Sequence, residues 1–408
     1  MLEEELCHWF IIMRRTRALA SSLTRMAGNG GNQKFSSSSV STAASEHVGY
    51  RSAAHSSDVT ITQHTSSNMN NNKLSGNATY NIHSNNKSME LVDSLLLRTS
   101  EMMNPHAANV VAYSGGVDSS LVAALVHRVF SDYDNILSPN NSSTRGSVQA
   151  VLGISHAVPQ TQIDVARKVA DFIGIPLMEV STAEGSDEAY IRNDGHACFV
   201  CKTHLYSTLN AVANAFMEQY IDNNNIDGQS GSGQQKVILY NGTNADDTRD
   251  PTRLGLQAAS NFSVHSPLDQ ITKDQVRQAA KYLGLSNWNA AASPCLRSRL
   301  AMGVMATEEH LRAVEFAEAF VREVLELDET INARVRMLSG GKAMVELDNS
   351  IIESVEDDLA TKLNDHGFGD KCINEWGFKK FGGVRGFKTG SVAAMPKDHD
   401  APLAAATL

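Results

Sequence analysis

Residues 109–120 read NVVAYSGGVDSS, and this stretch decides the fold. Positions 109–113 form a short β-rich run, and helical spacing of apolar residues takes over across 119–130, so a strand feeds a tight loop that opens a helix. The adjacent Gly115 and Gly116 let backbone N–H groups approach a ligand closely, and the helix N-terminus adds positive partial charge. Ser114, Ser119 and Ser120 can donate hydroxyls to phosphate oxygens, while Asp118 can hold Mg²⁺ between them. An ordinary capped turn would leave six matching positions without a reason. The Gly-Lys-Ser/Thr ending of a Walker A loop is missing, which argues against an ordinary phosphoryl-transfer NTPase.

Working outward, strands are predicted at 148–154, 176–180 and 236–240, with helices at 89–99, 160–173, 202–220 and 273–283. Strands alternating with helices predict an α/β fold with a doubly wound parallel sheet. Polar stretches at 131–147 and 222–235 read as insertions between elements, where extra loop length costs little. Beyond Trp288 the pattern changes. A long amphipathic helix is predicted at 307–325, with Thr307 as N-cap and Glu309 in its first turn. Strands at 333–338 and 343–347 flank Gly340-Gly341, and a helix follows at 351–363, giving a smaller α+β module. The expected division is a disordered 1–88, an ATP-binding domain at 89–290, a C-terminal α+β domain at 291–392 carrying Cys295, and a flexible tail at 393–408.

Composition narrows the classes. The chain has 408 residues, 42% of them hydrophobic, enough for a sizeable core. No run of about 18 apolar residues occurs, so no membrane span is predicted. A formal net charge of −10 is a poor match for a nucleic-acid backbone. Five cysteines in so long a chain do not make a disulfide scaffold. Residues 13–45 contain five basic residues and no acidic one, with many Ser and Ala, a composition shared with organellar transit peptides. That reading sends the protein to a mitochondrion or plastid; without it the location is cytoplasmic. Residues 56–87 are rich in Asn, Ser and Thr and offer little apolar surface to bury.

Five later segments carry chemistry. Asn241-Gly242-Thr243-Asn244-Ala245-Asp246-Asp247 follows the fourth predicted strand, at the sheet edge where open α/β folds bind ligands. Its Asn244 suits phosphate, and Asp247 suits Mg²⁺ beside Asp118. Lys273 heads a predicted helix after Ser266-Pro267-Leu268. Cys198 and Cys201 form a Cys-x-x-Cys pair opening a helix, compatible with a redox pair, a zinc half-site or a cluster ligand set. Cys295 lies in Ser293-Pro294-Cys295-Leu296-Arg297-Ser298-Arg299, where Arg297 and Arg299 would favour a thiolate. Arg334 and Arg336 alternate along a predicted strand, and arginine forks suit phosphate.

The glycine loop resembles that of the ATP pyrophosphatase (PP-loop) superfamily. The resemblance implies cleavage of ATP between its α and β phosphates, transfer of AMP to a substrate oxygen and release of pyrophosphate, with Lys273 meeting the pyrophosphate. In order and spacing, SGGVDSS, CFVCK, NGTNADD, SPL, CLRSR and the closing GFKTGS resemble the LarE sulfur transferases of lactate racemase maturation, across 89–392. That family makes the nickel-pincer nucleotide. It implies an adenine nucleotide α-hydrolase-like domain, ATP and Mg²⁺ as cofactors, and a pyridinium mononucleotide carboxylate as small-molecule substrate. Cys295 matches a cysteine that in some members gives up its sulfur. Other members hold a [4Fe-4S] cluster on three cysteines, and the presence of Cys198, Cys201 and Cys295 implies that form. Arg334 and Arg336 match the residues that contact substrate phosphate. A homo-oligomer is also expected. One departure stands out: Leu300-Ala301-Met302-Gly303 replaces the family's Ile-Pro-Tyr-Gly. An AMP-forming amide ligase of the asparagine, GMP or NAD synthetase type is the alternative enzyme, and a non-catalytic nucleotide or iron–sulfur sensor the alternative outside enzymes.

Overall fold

Val111 and Tyr113 face one side of strand β1 (Ala108–Tyr113) and Val110 the other, and both sides are buried. A strand buried on both faces is what a parallel sheet covered by helices requires. The computed structural model describes residues 75–136, 146–223, 237–249, 254–354 and 358–388, all within the unit Asn71–Leu408. The transit-peptide segment, the 222–235 insertion from residue 224 on, and the tail lie outside the described residues.

In chain order the first half comprises α1 (Ser75–Met102), β1, α2 (Val117–Ile136), β2 (Ser147–Ile154), α3 (Gln160–Ile173), β3 (Leu177–Ser181), the short α4 (Glu188–Ile191) and α5 (Ala197–Asn223). It continues with β4 (Val237–Tyr240), α6 (Ala245–Thr248), α7 (Leu254–Asn261) and α8 (Lys273–Tyr282). The sheet order is β3-β2-β1-β4, parallel throughout. Helices α1, α2, α3 and α8 cover one face around Val111, Leu152 and Tyr240. Helix α5 covers the other through Leu209 and Ala213, against Val110, Val151 and Leu239. The chain leaves β1 toward β2 and β3, then returns to β4 on the opposite side of β1. That reversal opens a crevice at the carboxyl ends of β1 and β4.

The second half holds α9 (Glu308–Val324), β5 (Ala333–Leu338), β6 (Lys342–Leu347), α10 (Asn349–Ser354), α11 (Leu359–Asp365), α12 (Phe368–Asn374) and β7 (Lys380–Gly386). Strands β5 and β6 pair antiparallel through Gly340 and Gly341, both at positive φ, and β7 adds parallel to β6. Thr307 caps α9 by accepting from His310 N at 3.3 Å, as expected.

Three expectations change. Residues 75–88, assigned to the unfolded leader, extend α1 N-terminally. Val92 and Leu95 anchor the helix in the core, and propagation adds one hydrogen bond per residue ordered. The helix expected at 351–363 is two short helices, α10 and α11, with Asp358 capping the second through Ala360 N. Strand β7 was not foreseen, because KFGGVRG lacks a β-branched run.

Candidate active site

The loop after β1 is built to be tight. Gly115 has φ +70°, and a Cβ there would lie 2.6 Å from the Ala166 Cβ, so only glycine fits. A Cβ on Gly242, in the loop after β4, would lie 2.7 Å from Ser119 N, so the two loops touch backbone to backbone. Ser119 Oγ donates to Gly116 O at 3.0 Å and accepts from Ser114 N at 3.2 Å; it also lies 3.1 Å from Ser114 Oγ. Ser114 and Ser119 are thus gathered at the helix N-terminus as expected. Ser120 corrects its assignment: it is fully buried, and its Oγ accepts from Asn287 Nδ2 at 3.0 Å. The same amide donates to Gly115 O at 2.8 Å, so Asn287 fastens the loop from behind and Ser120 serves that fastening rather than phosphate.

Asp118 stands at the centre of the polar residues. Its Oδ1 accepts from Asn244 Nδ2 at 3.0 Å, and its Oδ2 pairs with Lys273 Nζ. Three elements converge here: the loops after β1 and β4, and the start of α8. Asn244 caps α6 by accepting from Asp246 N and Asp247 N, while Asp247 Oδ2 accepts from Asn244 N at 3.2 Å, completing a capping box. Asp246 Oδ2 in turn accepts from Lys273 N at 2.8 Å. Asp118 fits a Mg²⁺ ligand, because that ion takes one or two carboxylates plus phosphate oxygens. Asp247, expected as the second Mg²⁺ ligand, has a carboxylate oxygen committed to the cap.

The thiols gather at the same sheet edge. Leu296 N donates to Ala157 O, just past β2, at 2.7 Å, while Gln162 Nε2 from neighbouring α3 donates to Ser114 O at 2.8 Å. Cys198 and Cys201 lie in the first turn of α5, and Cys201 and Cys295 pack on one core together with Tyr190. Arg297 stands among them, donating from Nη2 to Cys198 Sγ at 3.0 Å and from Nη1 to Asn193 Oδ1 at 2.7 Å. Burial opposes its charge, but Cys198 and Cys295, to which it also hydrogen-bonds, more than offset this and hold the guanidinium charged. Lys202 behaves alike: burial pushes its ammonium down, while Tyr206 and the thiols Cys201, Cys295 and Cys198 raise it further. Burial pushes the Cys201 thiol up to about 12, with Lys202 pulling the other way, so it is protonated at neutral pH. Burial likewise raises the Tyr190 phenol, reinforced by Cys295 and Cys201.

A metal cluster does not fit this arrangement. Among the described residues no group of three or more His, Cys, Asp or Glu side chains is disposed to hold a metal ion. Arg297, hydrogen-bonded to Cys198 at 3.0 Å and to Cys295, stands among the three thiols instead.

The arginines of the second half have separate tasks. Arg299, expected to act on Cys295 sulfur, instead pairs with Glu318 in a fork of 2.8 and 3.2 Å and donates to Cys295 O at 3.0 Å. It grips the backbone that carries the thiol. Arg336 donates to Glu346 Oε2 at 2.7 Å and to Ser298 O at 2.9 Å, so its charge is balanced. Among the described residues Arg334, 4% exposed, donates to the carbonyls of Ala333 and Ala292, and it lies over the Phe387 ring at 5.9 Å. Burial, with Arg299 nearby, pulls it down to about 10, and the Glu318 carboxylate only partly opposes this. The residues 300–303 that break the family pattern are accommodated: Ala301 N donates to Met337 O at 2.9 Å, and Asn193 Nδ2 donates to the carbonyls of Ala301 and Val304. Asn193 itself sits at φ +50°, a conformation that asparagine tolerates better than most residues.

No protein-family model matches the chain. An uncharacterized protein of Synechocystis sp. is 33% identical over 217 residues, 53% of this chain and 69% of that protein. The pyridinium-3,5-bisthiocarboxylic acid mononucleotide synthase of Lactiplantibacillus plantarum is 28% identical over 216 residues, 52% of this chain and 67% of the synthase. This is a LarE-like PP-loop protein. Among solved structures, the NMN synthetase of Francisella tularensis aligns with 54% of the LarE-like chain and 79% of its own at 15% identity, but a TM-score of 0.32 decides nothing.

The sequence motifs missed Asn193, Glu184, Tyr190 and Asn287. The hydrogen-bond partners of Asn193 and Asn287 are remote in sequence, and no local spacing announces any of the four.

Proposed function

We propose that the LarE-like chain is an ATP-dependent sulfur transferase acting on a carboxylate of a pyridinium mononucleotide. The observation that carries this reading is the gathering, at one sheet edge, of a phosphate-type loop with Asp118, Asn244 and Lys273 and of three thiols around Arg297. In the first step a substrate carboxylate oxygen attacks the α-phosphorus of ATP, the bond to the β-phosphate oxygen breaks and pyrophosphate leaves. Mg²⁺, when bound, neutralises phosphate charge, and Asp118 is the carboxylate that would hold it. Lys273 and the N–H groups of the loop stabilise the departing pyrophosphate. In the second step a sulfur nucleophile attacks the adenylated carbon, the carbon–oxygen bond to AMP breaks and a thiocarboxylate forms.

Arg334 is the better candidate for the nucleotide's own phosphate, since it is a buried cation whose hydrogen bonds among the described residues go to carbonyls. Arg336, already paired with Glu346, holds the strand in place. The name of the Lactiplantibacillus relative supports the acceptor class. No step is routed through an iron–sulfur cluster.

Separate loss of the two half-reactions tests the assignment. Cys295→Ala should stop thiocarboxylate formation while pyrophosphate release persists, and Asp118→Ala should stop both. Equal loss of both half-reactions in Cys295→Ala would contradict a role for that thiol confined to sulfur transfer.

A further inference from the structure

Helix α3 touches the phosphate loop twice, one helical turn apart. Ala166 fills the space that a Cβ on Gly115 would need, and Gln162 Nε2 donates to Ser114 O at 2.8 Å. The second contact fixes a direction. A trans peptide sets its N–H opposite its C=O, so a Ser114 carbonyl held toward α3 turns the Gly115 N–H away from that helix. Rotated by half a turn, the same peptide would present its carbonyl oxygen on that side. An anion there would then meet negative partial charge in place of a donor.

Helix α3 is itself held by the second half of the chain. Its N-cap residue, Pro159, supplies no side-chain cap, and its first turn carries no acidic residue. The missing cap comes from α9, where Glu315 Oε1 accepts from Gln160 N at 2.6 Å. A carboxylate there satisfies an orphan donor and meets the positive end of the helix dipole. Glu315 stands on a packed helix, since Val314 and Ala317 beside it are fully buried in the second half's core. The connection from β2 to α3 is tied to the same half: Ala157 packs in that core, and His156 Nδ1 lies 3.1 Å from Glu308 Oε2. The first turn of α3 is thus wedged between α9 and the phosphate loop.

We propose that Gln162 and Glu315 are positioning residues for ATP: Gln162 presets the Ser114–Gly115 peptide so that its N–H faces the triphosphate, and Glu315 sets α3 so that Gln162 can do so. The loop then grips ATP well only while the second half, which carries Cys295, is docked on α3. The proposal rests on the reading of the loop as an ATP site and adds what keeps that site competent. Its chemical consequence is protective. An acyl adenylate hydrolyses when water reaches it before the intended nucleophile, and this relay confines adenylation to molecules whose thiol-bearing half is already in place.

Calorimetric titration of the full-length protein with ATP and Mg²⁺ tests the relay without any acceptor present. Gln162→Met keeps the side chain's length and removes its donor, and its ATP dissociation constant should rise about tenfold, the size of one net hydrogen bond. Glu315→Ala should weaken ATP by about fivefold through loss of the cap alone. Glu315→Gln, which keeps an accepting oxygen, should return to within about twofold of the wild type. The double variant Gln162→Met with Glu315→Ala should bind no more weakly than Gln162→Met, because both changes act on one peptide. An unchanged constant in Gln162→Met, or a double variant in which the two losses multiply, would overturn the relay. A wild type that binds no ATP would overturn it together with the reading of the loop. A wild type that binds ATP yet releases no pyrophosphate with any carboxylate would defeat the sulfur-transfer reading alone, and the dissociation constants would still decide the relay.

Discussion

Replacing Glu318 with alanine tests how the second half of the chain holds its reactive segment. Glu318 Oε1 accepts from Arg299 Nε at 2.8 Å and from Val335 N at 3.1 Å, and Oε2 accepts from Arg299 Nη2 at 3.2 Å. The side chains are 1% exposed for Arg299 and 12% for Glu318. Deleting the carboxylate therefore strands a buried guanidinium, and breaking one partner out of a buried pair costs about 3–5 kcal/mol. That is a large share of the roughly 5–15 kcal/mol by which a domain is stable. With a urea slope of about 3 kcal/mol per M, the unfolding midpoint should drop by about 1–2 M. Because Arg299 also holds the carbonyls of Pro294 and Cys295, the folded fraction of Glu318→Ala should lose thiocarboxylate formation more than pyrophosphate release. Equilibrium urea unfolding followed by fluorescence, with both product assays at low denaturant, reads the two effects. A midpoint within about 0.3 M of wild type would show that this pair does not support the Cys295 segment.

Asn287→Ala removes two buried hydrogen bonds, to Gly115 O and Ser120 Oγ, and should cost about 2–3 kcal/mol while raising KM for ATP more than it lowers kcat. Thermal melts and initial rates check it. Burial raises the folded-state pKa of Cys201 to about 12 from 9.0, so the thiol favours folding fully below pH 9 and loses that contribution as pH climbs toward 12. At pH 8 iodoacetamide should therefore modify Cys198 well before Cys201, and stability should decline from about pH 9 upward, measured by urea unfolding at stepped pH.

The nucleotide half was legible because its signals are local. A β-rich run, two glycines and a helical repeat sit within twenty-two residues, and in the second half Thr307 announces its cap by type and position. The gathering of thiols at that edge was legible only through motif order, and no spacing announced that Arg297 reaches between Cys198 and Cys295. Arg299 could not be told from Arg297 in sequence; a partner 19 residues away on α9 makes the difference. Ser120 looked like a phosphate donor until Asn287, 167 residues distant, claimed its hydroxyl. Strand β7 escaped because its glycines suppress strand propensity, and parallel pairing with β6, not composition, makes it a strand.

The central claim is that one cleft both adenylates a carboxylate and thiolates it. Its most direct test is a single-turnover reaction of the full-length protein with ATP, Mg²⁺, sulfide and pyridinium-3,5-dicarboxylic acid mononucleotide, quenched and analysed by mass spectrometry. The account predicts AMP and pyrophosphate in equal amounts, with a product in which sulfur has replaced one carboxylate oxygen. AMP and pyrophosphate accompanied by the unchanged dicarboxylate, or by an amide when ammonia is added, would contradict it.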